Sequence, residues 1–171
     1  MSSKLNVVGA LKAPGQEFPF EADCCLEEMQ VLGDPVRFEQ ISARGVLLSS
    51  EEKISVHGEV TAEVVSQCAR CLKEVRAPIQ AGVDAVYGLQ PDPEDPDQYV
   101  YEASQVDLTD AIKDALVLAL PLRFLCREDC KGLCPKCGAD LNEGPCTCQE
   151  GDDDLNPFAA LRSIVVDNRE V

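Results

Sequence analysis

Between residues 53 and 88 the chain alternates. Ile54, Val56, Val60, Ala62 and Val64 take even positions with mostly polar residues between them, and Val75, Ala77, Ile79, Ala81, Val83, Ala85 and Tyr87 take odd positions without a break. A period of two sustained this long is the pattern of half-buried antiparallel strands. Val36 to Leu48 reads as a strand before them, turned by Ser49-Ser50-Glu51-Glu52. The three form a β-meander whose last two strands are joined at a tip made of Cys68-Ala69-Arg70-Cys71. Nearer the N-terminus, Leu5 to Leu11 and Phe18 to Ala22 read as two short strands parted by Pro14-Gly15.

After residue 90 the periodicity changes. Pro91-Asp92-Pro93-Glu94-Asp95-Pro96-Asp97 is too rich in proline and acid for a core element, so residues 90–106 are expected as an exposed loop. Leu108, Ala111, Ile112, Ala115, Leu116, Ala119 and Leu120 then recur at three- and four-residue steps, widened by Val117 and Leu118. That stripe predicts one main helix packed on the sheet, with Asp107 as N-cap, Asp110 at its positive end and Pro121 as its stop. Residues 122–148 hold six cysteines and little apolar material, so this segment cannot build a hydrophobic core. Gly151-Asp152-Asp153-Asp154 reads as a solvated spacer, and Asn156-Pro157 opens a short amphipathic helix with Phe158, Leu161, Ile164 and Val165. The expected organisation is an α+β fold: an antiparallel meander packed by one main helix over 1–121, a cysteine-rich tail over 122–150, and an acidic spacer with a short C-terminal helix over 151–171.

Composition sharpens this in two ways. The chain has 171 residues, of which 45% are hydrophobic but only 5% aromatic, with no tryptophan, so its core must rest on Val, Ile, Leu and Ala. The longest apolar run, Ala115 to Pro121, is far short of the roughly 20 residues that span a bilayer. The start Met1-Ser2-Ser3-Lys4-Leu5 lacks the layout of a secretion signal, so a cytoplasmic address is expected. In a reducing compartment ten cysteines point to metal or redox chemistry rather than to disulfides.

The cysteine spacing favours metal. Cys134-Pro135-Lys136-Cys137-Gly138 can turn two sulfurs toward one point, with backbone N–H groups inside the turn and a permissive glycine just beyond. Cys146-Thr147-Cys148 supplies a second pair, completing four thiolates for a closed zinc site. A segment without apolar content folds only when a metal organises it. Cys68 and Cys71 need two more ligands, and Cys126 and Cys130 would reach them if the helix runs back along the sheet. A rival arrangement joins Cys68 and Cys71 to Cys134 and Cys137, and a redox alternative closes a Cys68–Cys71 disulfide. Cys24 and Cys25, being adjacent, read as free thiols near a strand end. Closed sites leave no coordination position for a catalytic water, His57 is the sole histidine and sits mid-strand, and no phosphate-cradling loop or nucleophile elbow appears. A non-catalytic protein holding two Zn²⁺ is expected.

The chain resembles the YceD family. The resemblance rests on Cys68-Ala69-Arg70-Cys71-Leu72, Val106-Asp107-Leu108, Leu118-Ala119-Leu120-Pro121, the run Cys130-Lys131-Gly132-Leu133-Cys134-Pro135-Lys136-Cys137-Gly138, and Asn156-Pro157-Phe158-Ala159-Ala160-Leu161. It implies a role in the synthesis, processing or stability of 23S ribosomal RNA in bacteria, through binding of rRNA or a large-subunit precursor rather than catalysis. It supplies no RNA-contact residue.

Charge pulls against that implication. With 15 basic and 31 acidic residues the chain carries −16, and two filled tetrathiolate sites would deepen this to about −20. Such a chain is repelled by nucleic acid at long range. Arg70, Lys73, Arg76, Arg123, Arg127, Lys131 and Lys136 nevertheless lie close in sequence to cysteines, and zinc could gather them into one basic face. The rival reading makes the protein a module whose acidic loop, Asp92 to Asp97, holds a basic ribosomal protein. Neither reading involves a membrane or a small-molecule substrate.

Overall fold

A computed structural model describes residues 3–50 and 53–148; the expected C-terminal helix and the Gly151–Asp154 spacer lie outside these residues. The chain falls into two compact units, Met1–Cys130 and Lys131–Val171.

The first unit is β-rich. In chain order it runs β1 (Lys4–Asn6), α1 (Val8–Lys12), β2 (Glu17–Cys24), β3 (Met29–Val31), β4 (Asp34–Ser50), β5 (Lys53–Gln67), β6 (Glu74–Gly88), β7 (Tyr99–Val100), β8 (Gln105–Asp107) and α2 (Thr109–Leu118). The main sheet has the order β2-β4-β5-β6-β7; its pairs are antiparallel except the short β6–β7 ladder, and β3 pairs with the start of β4. The expected antiparallel-rich α+β class is what forms.

The inner face of β5 is Ile54, Val56, Val60, Ala62 and Val64, and that of β6 includes Ala81, Val83, Ala85 and Tyr87. In β4 the inward set changes parity. Val36 and Phe38 face the core before a register shift between Glu39 and Ser42, and Ile41, Ala43 and Leu47 face it afterwards. Gln40, at φ 53°, is the residue that absorbs the bulge. Gly45 and Gly58 pair directly across β4 and β5, where a Cβ on either would strike the opposite strand's backbone. This close approach is why both positions are glycine.

Three expectations need correction. Leu5 to Leu11 is not a strand: only Lys4–Asn6 is extended, paired with β8, and a five-residue helix follows. The Asn6 side chain accepts the Val8 N–H and stops the strand there. Residues 90–106 are only partly an exposed loop. Tyr101 and Val106 are buried, β7 lies within this span and β8 begins in it, and Tyr99 stacks on Tyr87 at 5.2 Å between ring centres. The polar residues around them hid these short core insertions. Finally, α2 ends at Leu118 rather than at Pro121. Ala111, Ile112 and Leu116 are buried as the stripe requires, but Leu118 turns outward and is 84% exposed. At the helix start Leu108 is already right-handed, and Asp107 Oδ1 accepts the Thr109 N–H at 3.0 Å, so the capping chemistry of Asp107 is present.

His57 faces solvent on β5, with Nδ1 2.7 Å from Asp84 Oδ1 on β6. Cys24 closes β2 in the core, where burial raises its thiol pKa, and Cys25 is exposed just beyond.

Candidate metal centres

The turn from β5 to β6 builds the first centre. Cys68 N–H donates to Lys73 O at 2.8 Å and Leu72 N–H to Cys68 O at 2.9 Å, so the chain wraps around the Cys68 sulfur. Leu72 completes the wrap at φ 60°, a left-handed conformation that favours glycine. Beyond α2 the returning chain docks on this tip: Ala69 N–H donates to Phe124 O at 2.8 Å. This contact delivers Cys126 and Cys130. The Sγ–Sγ separations are 3.8 Å for Cys68–Cys130 and 3.6 Å for Cys71–Cys126, and all four sulfurs lie within 4.8 Å of one another.

The second unit repeats the wrap on its own. Cys134 N–H donates to Ala139 O at 2.8 Å and Gly138 N–H to Cys134 O at 2.9 Å, with Gly138 at φ 73°. Residue for residue this is the Cys68–Lys73 turn, with glycine where that turn has Leu72. Leu141 N–H donates to Gly132 O at 2.9 Å, and the Asn142 side chain accepts the Lys131 N–H at 2.8 Å while its own N–H groups reach Asp140 Oδ1. This clasp folds the chain back so that Cys146 Sγ stands 3.5 Å from Cys134 Sγ, and Cys134, Cys137, Cys146 and Cys148 form a second group within 4.8 Å.

These separations would allow each group to hold a metal ion. A sulfur tetrahedron with bonds of ~2.3 Å to a central ion has edges of ~3.8 Å, whereas a disulfide would bring two sulfurs to ~2.05 Å. All ten cysteines are free thiols, and Cys68 and Cys71 are grouped with Cys126 and Cys130. The donor set is four soft sulfurs in each group, with no oxygen or nitrogen ligand, which suits a structural zinc and leaves no position open for water.

The electrostatics of each group favour one thiolate. Burial alone would raise Cys68, but backbone N–H groups of Cys126, Arg70 and Cys71 directed at its sulfur outweigh this and bring it to about 6. Amides of Cys137 and Lys136 likewise lower Cys134 to about 6. Their neighbours move the other way. Burial and hydrogen bonds to the surrounding sulfurs push Cys126 up to about 12, and Cys148 rises to about 12 through its bond to Cys137 and then burial. A divalent ion placed among four such groups replaces the thiol protons that hold each cluster together.

The basic residues are placed less favourably for a nucleic-acid surface. Arg70 Nη1 donates to Cys130 O at 2.7 Å and Glu128 O at 3.3 Å, which clamps the loop carrying Cys130 onto the tip. Arg76 sits among Glu39, Glu74 and Glu63 at 2.9, 3.0 and 3.3 Å, and Arg127 pairs with Asp129 at 3.4 Å. Lys73 and Arg123 are exposed in the first unit, and Lys131 and Lys136 in the second. Within the acidic loop, Asp92 is tied to Lys53 at 3.2 Å. The structural parts played by Arg70 and Leu72 escape a reading of local spacing; the one available signal was that Leu72 follows its Cys-x-x-Cys where Gly138 follows the other.

The fold and the two sulfur groups define a β-rich protein carrying paired Cys₄ clusters of metal-binding geometry. The family model for the large ribosomal RNA subunit accumulation protein YceD matches residues 56–165, more than half of the chain, and the chain belongs to this family. An uncharacterized protein of Mycobacterium tuberculosis is 37% identical over 102 residues, covering 57% of this chain and 49% of its own. YlbN, an uncharacterized protein of Bacillus subtilis, is 25% identical over 131 residues, 74% of this chain and 76% of its own. The chloroplastic large ribosomal RNA subunit accumulation protein YCED homolog 1 of Arabidopsis thaliana is 36% identical over 63 residues, 36% of this chain and 20% of its own. The chain thus spans about half the length of the mycobacterial relatives it matches. No solved structure matches it. Among the described residues no helix is long and apolar enough to cross a membrane.

Proposed function

We propose that this protein is a non-catalytic, cytoplasmic zinc protein that supports accumulation of 23S rRNA by binding rRNA or a large-subunit precursor. The observation that carries the zinc reading is the pair of tetracysteine groups built on matching turns. The ribosomal reading rests on the family and on the printed name of its plant member. In this reading two Zn²⁺ hold the β5–β6 tip and the tail in fixed shape, and that shape is what a ribosomal precursor recognises.

Depletion in growing cells tests it. The ratio of 23S to 16S rRNA should fall, and a chain with Cys137→Ser should fail to restore it. An unchanged ratio on depletion would refute the ribosomal role; full rescue by the cysteine variant would refute the need for zinc.

A second reading is favoured by one observation. Arg76 is already surrounded by three carboxylates and Arg70 is committed to backbone carbonyls, so the cations nearest the first centre are largely satisfied within the protein. That leaves an acidic surface better suited to a basic ribosomal protein than to RNA phosphates. Filter binding separates the two: affinity for rRNA fragments that drops steeply with salt supports direct RNA contact.

A further inference from the structure

We propose that the groove between the β3–β4 turn and the segment leaving α2 docks a basic, amphipathic segment of a partner protein. The inference does not depend on the zinc sites, and it deepens the second reading above by placing where a basic protein partner would dock.

Leu32, Leu118 and Leu122 are 84%, 84% and 91% exposed. They are not scattered: all three line one groove of about 260 Å³ with Val117, Leu120 and Phe124, and its charged residues, Asp34 and Arg123, are of opposite sign. Isolated exposed leucines need no explanation, but three around a shared depression form an apolar surface of the kind that marks interaction sites. The groove falls below the usual ~300–1,000 Å³ range of small-molecule pockets, so it fits inserted side chains rather than a cofactor.

Leu32 adds an independent sign. Val31 and Asp34 pair across the two-residue turn Leu32-Gly33, whose φ values are 54° and 94°. Two positive φ angles in a two-residue hairpin suit Asn-Gly or Gly-Gly. A leucine there brings its Cβ against the following carbonyl and, at its exposure, gains almost no packing in return. Its placement makes sense when a partner covers it.

The chemistry of that partner follows from the other side of α2. Val117 and Leu118 also line a cleft of about 580 Å³ whose charged groups are Asp84, Asp97 and Asp114. Apolar groove and acidic cleft therefore share one rim. An amphipathic segment with bulky apolar residues on one side and Lys or Arg on the other matches both. A second copy of the chain does not, since it would set acidic cleft against acidic cleft at −16 per chain. Three leucines and a shallow groove also fall well short of the ~800 Å² per partner of a standard interface.

The test uses the zinc-loaded 171-residue chain and a fluorescein-labelled Leu/Lys peptide of amphipathic helical pattern, with a scrambled peptide of the same composition as control. By anisotropy the patterned peptide should bind about tenfold or more tightly than the scrambled one, and Leu122→Ser should lose about that factor. Leu32→Asn should lose binding while leaving the thermal midpoint unchanged or higher, because asparagine suits the turn. A merely structural leucine would lower both. Asp97→Asn with Asp114→Asn should weaken binding and flatten its salt dependence. Equal binding of the two peptides, or unchanged binding by the leucine variants, would overturn the proposal. So would a wild-type dimer in sedimentation that Leu122→Ser dissociates, or displacement of the peptide by an rRNA fragment.

Discussion

Gly138 and Leu72 occupy the same place in two turns with the same backbone hydrogen bonds, one with the residue that conformation prefers and one without. An L-residue in the left-handed region costs about 1–2 kcal/mol. At Gly138 an added Cβ meets nothing within 4 Å, so Gly138→Ala imposes backbone strain without a clash. The gain from a less flexible unfolded chain, about 0.4–1 kcal/mol, offsets part of this. The net loss should be on the order of 1 kcal/mol, roughly a fivefold drop in metal affinity at the second centre. Leu72→Gly reverses the logic. The leucine side chain is 61% exposed, so little packing is lost, and relief of strain should balance or exceed the added flexibility, leaving the first centre unchanged or up to about 1 kcal/mol more stable. Competition with a chromophoric chelator gives the affinities, and amide exchange of Gly138 and Leu72 assigns them to a centre. A first centre weakened by Leu72→Gly, or a second one indifferent to Gly138→Ala, would show that left-handed strain at these turns is not what the metal sites hold in place.

Other expectations follow from the same geometry. Cys137→Ser should loosen residues 131–148 in amide exchange while β4–β6 stay protected, whereas Cys71→Ser should expose the Ala69–Phe124 contact; equal disturbance by both would mean the cysteines do not act as two groups. Thiols held near 12 at Cys126 and Cys148 are protonated at pH 7, so zinc uptake should release protons and apparent affinity should rise with pH; in acid, protons compete for the sulfurs and metal is lost. Chelator titrations from pH 6 to pH 8 that give a flat affinity would contradict this. Gly58→Ala should destabilise the sheet by about 2 kcal/mol or more in chemical unfolding, because its Cβ strikes the Arg44 carbonyl; a loss below about 0.5 kcal/mol would show that β4 and β5 can part there.

The sheet was legible where its inward residues alternate without interruption. β5 and β6 could be read from Ile54 to Tyr87 because no bulge shifts their parity. β4 could be read as a strand over Val36 to Leu48, but not which of its residues face inward, because the bulge at Gln40 joins two half-patterns of opposite phase. The five residues of α1 are too few for a helical period to emerge, and Tyr101 and Val106 reach the core from a stretch dominated by Pro, Asp, Glu and Gln. The short-spaced cysteine pairs were legible, but spacing alone leaves their division into fours between two arrangements, because it does not say that the chain's return past Pro121 brings Cys126 and Cys130 to the tip. The employment of Arg70 was not legible, since its partners are carbonyls 58 and 60 residues away. Nor was the exposure of Leu118, the last residue of α2, which the apolar stripe had placed with the packed face.

Native mass spectrometry of the chain purified under reducing conditions, paired with alkylation of its thiols, addresses the paired tetracysteine centres most directly. Two zinc ions per chain are expected, with Cys68, Cys71, Cys126, Cys130, Cys134, Cys137, Cys146 and Cys148 protected from alkylation until a chelator is added, and Cys25 modified at once. One ion with four of these cysteines reactive would remove one centre, and a metal-free chain with all eight reactive would contradict both.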